Sequence, residues 1–514
     1  MKIKIAIGFS IVMALLLGTV AFAQYAGKSF YTAYQVVNMG DGLADITIDY
    51  YDENGVLQTA ASKQFSDVAP GGNVLVVQYT DDTSLTGGRY SAVISSNQPI
   101  AAITNLQLVD DAASGYQPEA PFSTYGGQSE GSLTLTLPAV MYNWFGWYTE
   151  FYVMNVGSGA ANNIDIAYAP GKLDLGSGAQ NTGATGVTDN DNTIAQFAAL
   201  EKSQESQSAL GAGGSDLLTG RFLGSATITS DQPVIAVVNQ HNTGAKKLMT
   251  YNGFANAGAT DILVPNAMRG YFSFYSTMLI SNPSATGTAT VDLVYTPEAG
   301  NAYILPAGGG TFTVTHTIAP QTALTRYDGA DSSDVQSDLD DEFTRFFGSV
   351  RVLSDIPVMV QVNVEAKTGG TEPGQAGSYN GIPVADATIE IVAPVILADF
   401  YGIYTTLVVQ NASATDGSCN ITYTSDSVYS SVTDHSETYT HSISGNGGFT
   451  VYEGRAGGLE VGDINSDSAW QAGGFGRFLG GATISCDVPV VAFVNEETAT
   501  NGVDTMYTMN TFNK

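Results

Sequence analysis

The 514-residue chain has little positive charge: 18 Lys and Arg stand against 49 Asp and Glu, a formal net charge of −31. That balance argues against nucleic acid or anionic lipid as the main partner, because both demand positive surface. Histidine is scarce too, at four residues (His241, His316, His435, His441). No HExxH pair, no GxSxG elbow and no phosphate loop with its Lys occurs, so the common motif-bearing hydrolase and nucleotide-binding classes find no support. The two cysteines cannot build a Cys-based metal site or a disulfide framework. Charged residues of either sign make up 13% of the chain, whereas Gly (58) and Tyr (27) are plentiful. Few charges with many Gly, Thr, Val and Tyr residues indicate strands and turns rather than helices.

One long apolar run is present, at the start, in "MKIKIAIGFSIVMALLLGTVAFAQ". Lys2 and Lys4 precede an apolar core, and Ala21-Phe22-Ala23 follows as a small-x-small cleavage site. This pattern is that of a secretory signal peptide over residues 1–23, with the mature chain starting at Gln24. Cleavage leaves 16 basic residues against 49 acidic ones, a charge of −33. The expected location is secreted or extracellular at the cell surface, without membrane insertion after cleavage.

The rest of the chain repeats itself. "SNQPIAAITN", "SDQPVIAVVN", "SDIPVMVQVN" and "CDVPVVAFVN" end at Asn105, Asn239, Asn363 and Asn495. A second block, an aromatic-rich strand ending in Asn and followed by a small-residue turn, ends at Asn38, Asn155, Asn282 and Asn411. The period is 117 to 134 residues, the size of a domain rather than a solenoid turn. Four β-sandwich repeats are therefore expected, over residues 24–127, 128–259, 260–388 and 389–514. In the first block, Ala44, Ile46, Ile48 and Tyr50 alternate with polar residues, which predicts a strand with one buried face. In the ten-residue phrase, Asp231-Gln232-Pro233 predicts a turn, so the phrase reads as a hairpin in a sandwich core.

"VVNMGDGLADITIDYYDENG" and "VMNVGSGAANNIDIAYAPG" resemble the CARDB-like, immunoglobulin-like β-sandwich modules of bacterial cell-surface proteins. The third unit departs from that pattern, with Pro283 after the turn Asn. The resemblance covers all four units and implies an all-β fold of tandem immunoglobulin-like sandwiches, with a role in architecture or adhesion. It carries no catalytic residues to transfer, and the expected protein is not an enzyme.

Candidate sites are few. Asp189 and Asp191 in "DNDN", Asp463 and Asp467 in "DINSD", and the acidic run 328–342 offer hard oxygen ligands for calcium, without the EF-hand pattern. Cys419 and Cys486 fall at strand positions expected to point inward and form the candidate disulfide. Arg89, Arg221, Arg345 and Arg477 recur at one position, which suggests an ion pair or packing over an aromatic ring. Trp144 and Trp147 fit a packing stripe better than a sugar platform, since aromatics recur there in other units.

One more strand, "LTLTLPAVM", "TDILVPNAM" or "IEIVAPVIL", stands before each later unit, and the first unit has no counterpart after cleavage. An unpaired sheet edge invites strand addition. The sequence thus points to an exported structural protein of a surface layer, filament or matrix, whose partner is itself or another cell-surface component. The alternative is an adhesin or glycan binder using the variable loops.

Overall fold

The computed structural model describes the strand at 12–16 and the chain from 29 to 513, apart from 79–83, 86–87, 110–120, 175–178, 214–217, 243–244, 256, 299–310, 328–344, 367–374, 401, 426–429, 431, 433–434, 457–458, 461, 471–476 and 499–505. The cleavage site and the acidic run 328–342 lie outside the described residues. The protein is all-β, built from antiparallel sheets with a few short 3-10 turns.

The ten-residue phrase is not a hairpin. In three units it lies inside one continuous strand of 21 residues: Phe222–Asn242, Phe346–Ala366 and Phe478–Thr498. The first half of Phe222–Asn242 pairs with Ala161–Pro170 and Ser132–Tyr142, and the second half pairs with Tyr148–Asn155 and Lys247–Asn252. Each long strand thus crosses from one layer to another, as strands do at the corner of a sandwich. In the first unit the strand breaks at 97–99, and its halves, Tyr90–Ser96 and Ile100–Val109, belong to separate four-stranded sheets.

The Asp or Asn of the phrase does not fold the chain on itself. Its carboxylate or amide oxygen accepts the backbone N–H of a neighbouring strand: Asn97 from Asp45 (2.8 Å), Asp231 from Asn162 (3.0 Å), Asp355 from Thr290 (2.7 Å) and Asp487 from Ser418 (2.7 Å). Pro in that stretch has no N–H to donate, and the ladder shifts register between Thr229 and Val234. A prolyl position reads alike in a turn and in a bulged strand.

The first-block asparagines are buried turn pins. In each unit the Nδ2 group donates to at least two carbonyls, with a third, Ala319 O, beside Asn282, and Oδ1 accepts an N–H two residues on. For Asn155 the partners are Gly159 O (2.8 Å), Ile194 O (3.0 Å) and Gly157 N (2.9 Å). Asn38, Asn282 and Asn411 repeat the arrangement. All four are 0% exposed, so no water replaces these bonds.

Gly224, Gly348 and Gly480 stand where two strands nearly touch. A Cβ there would land on the carbonyl oxygens of Ala169, Thr296 and Thr424. Close backbone approach explains the recurring Gly after the aromatic pair.

The preceding strands Ser132–Tyr142, Ala259–Tyr271 and Thr388–Ala398 pair with the first halves of the long strands. Their prolines, Pro138, Pro265 and Pro394, fall at register shifts, where no ladder N–H is needed. In the first unit that place is taken by a strand of the leader, which the expected cleavage would remove. Val12–Leu16 pairs with Tyr90–Ser96, with Leu16 opposite Ala92 as Leu137 is opposite Ala226.

The units share cores in a closed order. Tyr152, Met154, Ile235, Val237 and Leu248 of the second unit join the core of the first. Leu279 and Ala376 of the third join that of the second. Val408, Phe493 and Met506 of the fourth join that of the third. Ile103 of the first joins that of the fourth. The cycle is completed by Gln35, whose Nε2 donates to Pro394 O at 3.0 Å. Within the fourth unit, Cys419 and Cys486 sit opposite one another on adjacent strands and are joined as a disulfide, with S–S 2.04 Å.

Removing one turn pin tests this account. Asn155→Ala leaves buried backbone groups unpaired and is expected to cost about 2–4 kcal/mol in urea unfolding. Ser158→Ala, exposed in the same turn, is expected to stay within about 0.5 kcal/mol.

Candidate functional site

The phrase-ending asparagines locate the centre of the ring. Asn105, Asn239, Asn363 and Asn495 lie opposite Thr124, Thr250, Ser378 and Thr508 on four short strands. Those strands are Phe122–Gly126, Lys247–Asn252, Ala376–Asn380 and Tyr507–Asn510. Each touches the next, and the last touches the first, so they close around a common hub.

Alternation along a strand places residues i and i+2 on one face. One tier of hub side chains is therefore Thr124, Thr250, Ser378 and Thr508. The next is Gly126, Asn252, Asn380 and Asn510. Hydrogen bonds run round the hub in one sense. Asn510 Nδ2 donates to Asn380 O (3.0 Å), Asn380 Nδ2 to Asn252 O (2.8 Å), and Asn252 Nδ2 to Gly126 O (2.9 Å). In the hydroxyl tier, Thr508 Oγ1 donates to Ser378 O (2.6 Å) and Thr124 Oγ1 to Thr508 O (2.8 Å). The amide ladder ends at the first unit, where Gly126 has no side chain and the Phe512 ring packs against it.

The tyrosines between the tiers point outward into the cores. Tyr251 OH bonds Ala139 N (3.2 Å) and O (3.0 Å), and Tyr379 OH bonds Asn266 N and O (3.2 and 2.5 Å). Burial raises both phenols, so they remain protonated donors. The hub forms a half-open pocket of about 100 Å³ lined by both tiers, with no charged side chain among its lining residues. The recurring phrases "TYGG", "TYNG", "SYNG" and "TMNT" at 124, 250, 378 and 508 mark these strands. The sequence reading missed them, because loops of unequal length separate them from the phrase asparagines.

The calcium candidates are placed otherwise. Asp189 pairs with Lys202 Nζ at 2.7 Å and accepts Asn192 Nδ2 at 3.2 Å. Asp191 occupies a left-handed turn position, φ 60°, and its N–H donates to Asp165. In the fourth unit, Asp463 accepts the Tyr423 hydroxyl (3.1 Å) and faces His441 Nε2 (2.9 Å). Asp467 accepts Tyr439 OH (2.8 Å) and Ala469 N (2.8 Å), and these bonds hold its carboxyl below the usual range. Among the described residues, no group of three His, Cys, Asp or Glu is placed to hold a metal.

Beside Asp463 lies Glu453, 1% exposed, whose carboxylate accepts the N–H groups of Asp463, Ile464 and Asn465 at 2.8–3.1 Å. Burial nevertheless pushes it up to about 7. The same cause pushes Glu298 up to about 7 and Glu496 up to about 8.

Of the recurring arginines, Arg89, Arg221 and Arg345 meet aromatic rings. Arg221 lies 3.8 Å over Phe145, Arg345 lies between Tyr271 and Phe272, and Arg89 faces Tyr152 while pairing with Glu201. Trp147 is buried, next to the tip that carries Phe145.

No family model and no curated protein matches this chain. Among solved structures, the crystal structure of Thermotoga maritima 1070 is similar at 17% identity over 24% of this chain and 95% of its own, with a TM-score of 0.17.

The raised carboxyls give a pH dependence. Glu298, Glu453 and Glu496 bind protons more tightly folded than unfolded, so their contribution is complete below about 4.5 and is lost as pH rises through about 8. The thermal midpoint is expected to fall from pH 5 to pH 8. Glu496→Gln is expected to flatten that slope, and an unchanged slope would refute the assignment.

Proposed function

We propose that the chain is an exported, non-enzymatic structural protein of the cell surface, whose body is a four-unit ring rather than a string of separate domains. The observation that carries this reading is the cyclic sharing of cores, in which each unit is completed by its neighbour. Such a body resists stepwise unfolding, because opening any seam exposes apolar surface on two units. The formal net charge of −31 and the leader-like start fit an exterior location.

Self-assembly follows from the first unit. Val12–Leu16 covers the edge of Tyr90–Ser96, and cleavage after Ala23 would remove that cover. The edge then offers unpaired backbone N–H and C=O groups to a strand from another chain. The Tyr125 hydroxyl is set beside Thr104 of the adjacent strand, whereas Tyr251 and Tyr379 bond the preceding strand in their units.

A second reading, glycan or surface adhesion, draws on Phe145 and Phe272. Both are exposed at hairpin tips (59% and 48%) and both carry an arginine over the ring. Aromatic faces beside guanidinium groups suit sugar stacking and acidic glycans.

Electron microscopy of residues 24–514 beside the full chain tests both readings. Compact four-lobed particles are expected for the full chain, and ordered assemblies for 24–514. Monomers of 24–514 at high concentration would remove the assembly claim, and glycan-array binding lost in Phe145→Ala/Phe272→Ala would transfer the function to adhesion.

A further inference from the structure

We propose that the hub pocket is a binding site for a monovalent cation, an alkali ion or ammonium. The argument begins with the orientation of the hub amides. An amide group facing a backbone carbonyl must present its nitrogen, since oxygen facing oxygen is repulsive. Asn380 and Asn510 face the carbonyls of Asn252 and Asn380, which settles which way each side chain is turned. Their Oδ1 atoms are thereby left buried, with no hydrogen-bond partner among the described residues. A buried acceptor left unpaired costs about 1–3 kcal/mol, so two in one pocket call for a donor or a cation.

The occupant's charge follows from the lining. Thr124, Thr250, Ser378 and Thr508 add hydroxyl oxygens whose protons, where they donate, are directed at protein acceptors. The threonine hydroxyls keep lone pairs for coordination, while Ser378 Oγ already accepts Gln361 Nε2 with one of its two. Every oxygen donor in the pocket is neutral. A divalent ion would need carboxylates to offset its dehydration. A monovalent ion of low hydration energy is held by neutral oxygens alone, as carbonyl rings hold it in ion filters. About 100 Å³ accommodates such an ion with a few waters. The chain's net charge of −31 raises the local cation concentration around it.

Asymmetry of the ring sets the form of the site. Gly126 replaces the fourth asparagine and Phe512 covers its position, while Asn252 Oδ1 accepts Gln128 Nε2 at 3.5 Å, so the free amide oxygens come from the third and fourth units and an apolar ring from the first.

Two measurements on the full chain decide the matter. Thermal unfolding in about 100 mM KCl, NH4Cl, NaCl and choline chloride holds ionic strength, and hence screening, constant. The midpoint in potassium or ammonium is expected to exceed that in choline by about 2 °C or more, saturating with concentration. Asn380→Leu/Asn510→Leu is expected to abolish this ion specificity while leaving the response to ionic strength. Anomalous scattering from crystals soaked in thallium or rubidium is expected to show one peak at the hub, and this readout needs no variant. Equal midpoints in all four salts, or a hub that holds only water in the soaked crystals, would overturn the proposal.

Discussion

Each unit of this protein leaves one face of its core for the next unit to cover, and the first covers the fourth. Burial of apolar surface is the dominant favourable term in folding, and here it is distributed over seams as well as within units. Tyr152 and Met154 belong by chain position to the second unit and by packing to the core of the first. Leu279, Val408 and Ile103 stand in the same relation at the other seams. Everything at the hub depends on that closure, because the four short strands meet only when the ring is complete.

The device that makes closure possible is the strand long enough to serve two layers. A stretch such as Phe222–Asn242 carries one set of partners on the outer half and another on the inner half. The outer half builds the unit's own sandwich, and the inner half delivers Asn239 to the hub opposite Thr250. The Asp that ties the middle of the strand to its neighbour holds the bend without a turn. A repeated ten-residue phrase is thus the mark of a crossing between layers, and its final asparagine belongs to the centre of the molecule.

How much of this was legible in the sequence varies with the range of the interaction. Alternation at Ala44, Ile46, Ile48 and Tyr50 correctly indicated one buried face, because period two is a local property of a strand. The first blocks read correctly as strands that end in Asn before a turn, but the connection that follows is not a hairpin, since Tyr148–Asn155 and Ala161–Pro170 each pair with other strands. The phrase misled, because Asp-Gln-Pro favours a turn by local rules that a bulged, continuous strand also satisfies. Glu453 gave no signal at all, since its cradle at Asp463, Ile464 and Asn465 is assembled by a loop whose conformation no periodicity encodes.

The sequence by itself determined that this is an all-β chain with a fourfold internal repeat, strong negative charge and a leader-like start. Those follow from composition, period and local side-chain preference, which act over a few residues. Only the tertiary structure decided that the units close on themselves, that Tyr251 and Tyr379 latch onto the preceding strands, and that neutral oxygens converge on one pocket. These depend on contacts between residues more than a hundred positions apart, such as Asn510 with Asn380 and Gln35 with Pro394. The repeat period predicts that such equivalents exist, but the angle between successive units, which turns a row into a ring, is set by how the shared cores pack.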